Sequence, residues 1–236
     1  IRRPPRSTPK PSSAASDVYK RQYILRSRRY RRIFVRVNQV ISNLISLENI
    51  SLVRQDKEII NNYSLQINQK QKYNIYGENG SGKTSLLKII AGITEPTKGE
   101  IHSNPSFDMN KDIFYIGHKY GLKNELTVYQ NLEYALNFAN NDDHSSIESE
   151  LEEYSMKKYI NTQVRYLSHG QKKIISLIQL TLISNKLWLL DEPFTGLDKV
   201  KIDLLLFIMY KLISNMGSIV ITSHNVKENF DNIKLC

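Results

Sequence analysis

The segment GENGSGKT, residues 77–84, has the residue types and spacing of a phosphate-binding loop. It fits the pattern G-x-x-x-x-G-K-[ST], follows the strand-like run KYNIY and precedes a helix-like run, which is the context that such a loop requires. Its glycines allow backbone N–H groups to turn inward toward phosphate at the positive end of the helix. We expect nucleotide to bind through Gly77, Asn79, Gly80, Ser81, Gly82, Lys83, Thr84 and Ser85.

Asp191 and Glu192 directly follow the apolar run LWLL. Ligands of open α/β sheets bind at the carboxyl ends of such strands. Lys83 would bridge the β- and γ-phosphates, while Thr84 and Asp191 would hold Mg²⁺. Glu192 would then orient or deprotonate the attacking water. A carboxylate pair at a strand end also occurs simply as a polar cap, and the upstream phosphate loop is what gives this pair a functional meaning.

The elements around these residues alternate between strand and helix. Short apolar or alternating runs predict strands near residues 44–53, 58–68, 72–76, 112–117, 186–192 and 217–224. Helical patterns lie at 85–91, 127–139 with Thr127 as N-cap, 145–160, 172–184 and 199–213. This order predicts an α/β fold with a mostly parallel sheet flanked by helices and an antiparallel β edge. We expect one domain over residues 44–236, with a small helical subdomain at about 125–167.

The positive charge of the chain is concentrated near residue 1. Residues 1–36 contain twelve Arg and Lys and one acid, Asp17, whereas the other 200 residues carry 21 basic and 22 acidic side chains. The net charge of +10 therefore gives no support for nucleic-acid binding by the folded part. We expect a basic tail over residues 1–43, of which residues 1–22 resemble translated sequencing-adapter sequence. A disordered basic arm or an organellar presequence would have a similar composition.

Cysteine content and hydropathy restrict the class of protein further. Cys236 is the single cysteine, which excludes an intrachain disulfide and fits a reducing compartment. The longest apolar stretch, residues 174–190, is interrupted by Gln179, Asn185 and Lys186. It falls short of the ~18 apolar residues that a membrane-spanning helix needs. We therefore expect a chain that does not cross a membrane by itself.

Three further segments stand in a fixed order around the two carboxylates. LSHGQKK occupies residues 167–173, FTGLD occupies 194–198, and the run IVITS leads to His224. With the phosphate loop and LWLLDE, this order resembles the ATP-binding cassette (ABC) family: Walker A, signature, Walker B with a glutamate, D-loop and switch histidine. The resemblance covers about residues 44–236 and implies an ATPase domain that uses ATP and Mg²⁺.

The resemblance also implies roles for residues outside the phosphate loop. Ser168, Gly170 and Gln171 would contact the γ-phosphate held by a second ATPase subunit, so that two ATP molecules lie in a head-to-tail dimer. Asp198 would link the two sites across that dimer. His224 would contact the γ-phosphate and keep the attacking water in line with Glu192.

Two positions depart from the family pattern. His169 stands where the signature usually has glycine, and its imidazole would crowd the partner's nucleotide or form a hydrogen bond to it. Arg54 stands where the family often stacks an aromatic ring on adenine. A guanidinium also stacks on a purine, so we expect weaker ATP binding rather than none.

A third departure, His118, points to a subfamily. In the ABC family a glutamine ends the strand after the phosphate-loop helix, contacts Mg²⁺ and water, and leads into the loop that touches the membrane subunit. Counting back eight residues from Leu126 of ELT reaches His118. A Gly-His pair there, followed by GLKNELT, resembles the ATPase subunit of cytochrome c maturation haem exporters, and DEPFTGLD fits that subunit as well. The resemblance implies a catalytic position for His118.

The resemblance leads to a functional hypothesis with alternatives. The chain would hydrolyse ATP for the cytochrome c maturation complex and contact an integral-membrane permease near residues 118–135. It would lie at the cytoplasmic face of the inner membrane, or on the matrix side of the mitochondrial inner membrane. We expect the complex to handle haem rather than this chain, because His118 and His169 have no cysteine or carboxylate at ligand spacing. An ATPase of another exporter (drug, lipid or polysaccharide), a non-hydrolysing nucleotide-gated module and a soluble nucleic-acid factor are the alternatives.

Overall fold

The part of the chain that the structure describes contains two β-sheets, six α-helices and two short 3-10 helices. The computed structural model covers residues 42–117, 120–138, 144–183 and 185–235, all within the unit Ile41–Cys236. The strands are β1 (Asn43–Arg54), β2 (Lys57–Asn68), β3 (Lys72–Tyr76), β4 (Lys98–Ser103), β5 (Ile113–Ile116), β6 (Leu187–Leu190), β7 (Ser218–Ser223) and β8 (Asp231–Lys234). The helices are α1 (Lys83–Ile90), α2 (Met109–Asp112), α3 (Val128–Phe138), α4 (Ser146–Glu153), α5 (His169–Leu182) and α6 (Lys199–Ser214).

The larger sheet is parallel and has the strand order β5-β6-β7-β3-β8. Its central strands β6 and β7 are buried at every position, as expected for apolar runs that are covered on both faces. Leu190 of β6 pairs with Ile221 of β7, and Tyr76 of β3 pairs with Ser223. The residues that follow β3, β6 and β7 therefore gather at one edge of the sheet.

The smaller sheet is antiparallel and has the order β2-β1-β4. Gln55 and Asp56 close the β1-β2 hairpin, and both have positive φ, as tight hairpin turns require. The predicted antiparallel edge is thus a separate three-stranded sheet. Strands β4 and β8 were not predicted, because KGEIHS and DNIK are short, polar and largely exposed.

Helix α1 positions the phosphate loop through its apolar face. Leu86, Leu87, Ile89 and Ile90 are fully buried in a core cluster that also contains residues of both sheets. Each such side chain contributes roughly 1.5–3 kcal/mol through burial. This packing fixes the start of α1 against β3 and β7, where the loop emerges.

The predicted helices are present, with shifted ends. Thr127 accepts a hydrogen bond from the Gln130 N–H at 3.2 Å, and the Gln130 side chain accepts one from the Thr127 N–H at 2.9 Å, so α3 begins as predicted. Helix α4 ends at Glu153, short of the predicted 160, and a short 3-10 turn follows at Lys157–Tyr159. None of the helices in the described ranges is long and apolar enough to cross a membrane.

Candidate functional site

Residues 77–84 connect β3 to α1 as the sequence predicts. Gly80 and Gly82 have φ of +83° and +94°, a region that glycine enters without strain. A Cβ atom on Gly77 would lie 2.7 Å from the carbonyl oxygen of Leu235, so this position has no room for a side chain. Gly82 is the N-cap of α1 and provides no side-chain cap, which leaves the N–H groups of the first turn available to an anion.

Lys83 lies folded over the loop that precedes it. Its side chain is buried, and its Nζ donates to the carbonyl oxygens of Gly77 at 2.8 Å and Glu78 at 2.7 Å. Both contacts are to backbone acceptors rather than to a carboxylate. The cation therefore remains free to balance negative charge that enters the loop.

Asp191 connects the phosphate loop to the central strand β7. Its carboxylate is buried and accepts hydrogen bonds from Thr84 Oγ1 at 2.8 Å and from Thr222 Oγ1 at 2.6 Å. Burial raises the pKa of the nearby Tyr115 phenol to about 12, and the Asp191 charge adds to this shift. The Asp191 carboxylate thus has a fixed position beside the Thr84 hydroxyl.

Glu192 has an unusual backbone and several partners. Its φ is +49°, a left-handed conformation that is uncommon for residues with a side chain and is concentrated at functional sites. Its N–H donates to Thr222 Oγ1 at 2.9 Å. Its carboxylate lies 3.3 Å from His224 Nε2 and also accepts from Thr195 Oγ1 at 3.3 Å. The side chain of Glu192 is 16% exposed and that of His224 is 44% exposed, so both can reach a ligand at the sheet edge.

A buried asparagine fixes the residues on either side of His224. Asn74 is fully buried in β3; its Oδ1 accepts from Ser223 Oγ at 2.8 Å, and its Nδ2 donates to the Asn225 carbonyl at 3.0 Å. Its Nδ2 also donates to Asn232 Oδ1 at 2.7 Å. The sequence reasoning missed Asn74 and Thr222. Both are polar residues inside apolar strands, and that interruption was the available signal.

The N-terminus of α5 forms a second group of predicted site residues. Ser168 is the N-cap and accepts from the Gln171 N–H at 3.3 Å, while Gln171 Oε1 accepts from the Ser168 N–H at 2.8 Å. This capping box explains why α5 begins at His169 rather than at the predicted residue 172. His169 and Gly170 occupy the first turn.

Asp198 has a similar position at the start of α6. Its side chain accepts from the Lys201 N–H at 3.0 Å and forms an ion pair with the Lys201 amine. These hydrogen bonds with Lys201 lower the pKa of the Asp198 carboxyl. The Lys201 side chain also passes next to Gly170, where a Cβ atom would lie 3.1 Å from Lys201 Cε. The starts of α5 and α6 are therefore neighbours.

Lys173 is a further polar residue that the sequence reasoning did not single out. It is 8% exposed, and its Nζ donates to the carbonyl oxygens of Glu192 at 3.1 Å and Thr195 at 2.9 Å. Burial lowers the pKa of its amine to about 8, and the Glu192 charge opposes that shift. Its signal in the sequence was a lysine at the start of the apolar run IISLI.

The remaining predicted site residues are Arg54 and His118. Arg54 is exposed at the end of β1, where it pairs with Lys57. Ile59 and Ile60 of the adjoining strand β2 lie within 3.2 Å of the Cβ position of Gly82, so the hairpin borders the phosphate loop. His118 lies outside the described residues. Strand β5 ends two residues before it, at Ile116, whose carbonyl accepts from the Asp191 N–H at 2.8 Å.

Comparison with known proteins agrees with this arrangement. A family model described as ABC transporter matches residues 60–195. The chain belongs to the ABC transporter family and is an ATP-binding, ATP-hydrolysing subunit. It is similar to the cytochrome c biogenesis ATP-binding export protein CcmA of Shewanella oneidensis, at 32% identity over 78% of this chain and 88% of that protein. The CcmA protein of Colwellia psychrerythraea is 33% identical over 77% of this chain and 85% of the relative.

Solved structures agree on the fold. An ATP-binding subunit of an ABC transporter has a TM-score of 0.74 at 22% identity, covering 81% of this chain and 85% of that one. A Pyrococcus furiosus protein described as an ABC transporter ATP-binding protein has a TM-score of 0.71 at 23% identity, covering 82% and 98%. The predicted family and fold class are therefore confirmed.

Proposed function

We propose that this chain is the ATPase subunit of an export system for cytochrome c biogenesis and that two copies act together. One structural observation carries the catalytic part of the proposal. Hydrogen bonds connect Thr84, Asp191, Thr222 and the Glu192 N–H in series, and the Glu192 carboxylate lies 3.3 Å from His224 Nε2. This series joins the phosphate loop to a carboxylate–histidine pair on the same sheet edge, as hydrolysis of a bound nucleoside triphosphate requires. The names of the CcmA relatives support the cellular role.

ATP would bind at the start of α1. The backbone N–H groups of the loop and of the first helical turn would cradle the phosphates, with Gly77, Asn79, Gly80, Ser81, Gly82, Thr84 and Ser85 contributing. Lys83 would turn its amine from the Gly77 and Glu78 carbonyls to the β- and γ-phosphates. The exposed guanidinium of Arg54, next to the hairpin that borders the loop, would stack on adenine.

We assign Mg²⁺ to the hydroxyl of Thr84 and the carboxylate of Asp191. Their oxygens face each other at 2.8 Å, and hydroxyl and carboxylate oxygens are the donors that Mg²⁺ prefers. When bound, the ion would offset the negative charge of the β- and γ-phosphates. Thr222 would hold the Asp191 carboxylate in this orientation.

Glu192 would accept the proton of the attacking water, and His224 would hold the γ-phosphate and the water in line. The 3.3 Å contact between the two side chains supports this division of roles, because it places a base next to a donor. His118 would complete the catalytic group from the segment that follows β5.

The second group of residues would act on the nucleotide of another copy. Ser168, Gly170 and Gln171 lie at a helix N-terminus whose N–H groups and hydroxyl suit a γ-phosphate. In a head-to-tail dimer they would close over the partner's ATP, and Asp198 would connect the two sites. His169 would then lie next to the same phosphate, where its ring can donate a hydrogen bond.

The motion of this dimer would pass to an integral-membrane permease through residues near 118–135. Tyr134 of α3 is exposed in this region, and the Lys123 amine lies 3.8 Å from the centroid of the Tyr134 ring. We place the assembly at the cytoplasmic face of the inner membrane, or on the matrix side of the mitochondrial inner membrane. The complex, rather than this chain, would handle haem.

Replacement of the chain by its Lys83→Ala variant in the organism that encodes it tests the cellular role. We expect the content of covalent c-type haem, measured by in-gel haem staining, to fall while b-type haem proteins stay at wild-type levels. The Lys88→Ala variant, on the same helix but outside the loop, is the matched control. A normal content of c-type haem in the Lys83→Ala strain would contradict the role in cytochrome c biogenesis. The chain would then be the ATPase subunit of an exporter of another substrate.

A further inference from the structure

Lys173 physically joins the signature helix α5 to the loop that carries Glu192. Its amine, on the second turn of α5, donates to two main-chain oxygens of that loop: Glu192 O at 3.1 Å and Thr195 O at 2.9 Å. Lys173 is 8% exposed, and both hydrogen bonds are partly buried. Hydrogen bonds from a charged donor are stronger than neutral ones, so removing the Lys173 amine weakens the attachment of this loop to α5.

Glu192 depends on such restraint because its backbone is strained. Its φ of +49° is costly for a residue with a side chain and persists only where the surroundings enforce it. Thr222 of β7 holds the Glu192 N–H, and Lys173 of α5 holds the Glu192 carbonyl. The direction of the carboxylate is thus fixed from the sheet on one side and from the signature helix on the other.

The two ends of this connection serve different nucleotides, a point that rests on the dimer in the proposed function. The N-terminus of α5 contacts the ATP of the partner copy, whereas Glu192 acts on the ATP of its own chain. Lys173 is three residues beyond Gly170 and moves with it, because both belong to α5. A small displacement of α5 therefore changes the position of the Glu192 carbonyl.

We propose that Lys173 is a positioning residue that reports occupancy of the partner's ATP site to Glu192. When the partner's nucleotide seats on α5, the Lys173 amine sets Glu192 in line with the water at the chain's own nucleotide. The Lys173 side chain touches neither nucleotide. Its contribution is to cooperativity between the two sites and to turnover, not to ATP affinity.

Steady-state kinetics of the full chain, extracted in detergent with its membrane partner, test this assignment. For Lys173→Met we expect kcat to fall at least about 10-fold and the Hill coefficient for ATP to approach 1. Binding of a fluorescent ATP analogue (MANT-ATP) should stay within about 2-fold of wild type, because the phosphate loop is unchanged. Lys173→Arg, which can donate to both carbonyls, should recover at least half of kcat together with the Hill coefficient. Lys186→Met is the matched control: Lys186 also donates to a main-chain oxygen, that of Ser106 at 3.0 Å, and should leave kcat unchanged.

A double-mutant cycle distinguishes a relay from a structural role. If Lys173 transmits binding of the partner's ATP from the α5 N-terminus to Glu192, Ser168→Ala and Lys173→Met interrupt the same connection. The combined variant should then lose less kcat than the product of the two single losses, whereas independent effects multiply. Lys173→Gln, whose neutral and shorter side chain donates more weakly than the amine, should give intermediate kcat and covers the case in which Lys173→Met does not fold.

The outcomes separate this inference from the proposed function. A wild-type complex that does not hydrolyse ATP, or that hydrolyses it without cooperativity, would overturn the two-copy function and the Lys173 assignment with it. If wild type hydrolyses ATP cooperatively and Lys173→Met has the same Hill coefficient, the Lys173 assignment alone is overturned. The Lys173 assignment is also overturned if kcat falls as much in Lys173→Arg as in Lys173→Met. It is likewise overturned if the kcat losses of Ser168→Ala and Lys173→Met multiply in the combined variant.

Discussion

His224 Nε2 lies 3.3 Å from Glu192 Oε1 at the edge where β6 and β7 end side by side. The two residues are 32 positions apart in sequence, and the parallel register that pairs Leu190 with Ile221 is what brings them together. Asn74 bonds to the Ser223 hydroxyl and the Asn225 carbonyl on either side of His224, and Thr222 accepts from the Glu192 N–H. The position of the contact is therefore set by the sheet rather than by a flexible loop.

The histidine should matter for turnover more than for binding. We expect His224→Ala to lower kcat for ATP hydrolysis by about 100-fold, because alignment of the water is lost, while MANT-ATP affinity changes little. The control is His102→Ala. His102 is half-exposed on β4, 3.4 Å from Glu100, and should keep wild-type kcat. Equal kcat values for His224→Ala and His102→Ala would remove His224 from the catalytic group.

Thr222 should support both stability and catalysis through its hydroxyl. Thr222→Val keeps the shape of the side chain but leaves the Glu192 N–H and the Asp191 carboxylate without their shared partner. We expect a loss of about 1–3 kcal/mol in the free energy of unfolding, measured by urea denaturation. Because the carboxylates are displaced, kcat should fall by about 10- to 100-fold.

The Thr222→Ser variant is the control for that experiment. It retains the oxygen, so both kcat and the unfolding midpoint should remain near those of wild type. A Thr222→Ser variant as impaired as Thr222→Val would mean that the methyl group, and not the hydrogen bonds, is what the site needs.

Stability should depend on pH through Lys173. Burial lowers the pKa of its amine to about 8 in the folded protein, whereas the unfolded chain has the ordinary value of 10.5. Between these values the unfolded chain binds more protons than the folded one, so a rise in pH favours the folded state. From pH 7.5 to 9.5 we expect the free energy of unfolding of wild type to gain up to about 2 kcal/mol relative to Lys173→Met, whose side chain does not titrate.

Urea denaturation of both proteins at pH 7.5, 8.5 and 9.5 measures that difference. Other titrating groups are common to the two chains and cancel in the comparison. If the free energies of unfolding of wild type and Lys173→Met change by the same amount between these pH values, the Lys173 amine is not desolvated in the folded protein.

Motif order predicted the family and the fold class, because the phosphate loop and Asp191–Glu192 lie where strands end. The residues that organise those positions were not predicted. Thr222 and Asn74 are single polar residues in apolar strands, and their partners belong to other strands. The left-handed conformation of Glu192 has no signal in the residue itself. Strand β4 was missed because its pairing with β1 joins segments about 50 residues apart, with no local alternation to indicate it.

The Glu192→Gln variant tests whether this chain hydrolyses ATP through Glu192. Phosphate release by the detergent-extracted complex should fall by at least about 100-fold, since the amide cannot accept a proton from water. The variant should also accumulate as an ATP-bound dimer on size-exclusion chromatography, because binding is intact and reopening is blocked. Glu228→Gln, which changes an exposed carboxylate four residues after His224, should behave as wild type. Equal rates of phosphate release for wild type and Glu192→Gln would show that Glu192 is not the catalytic base.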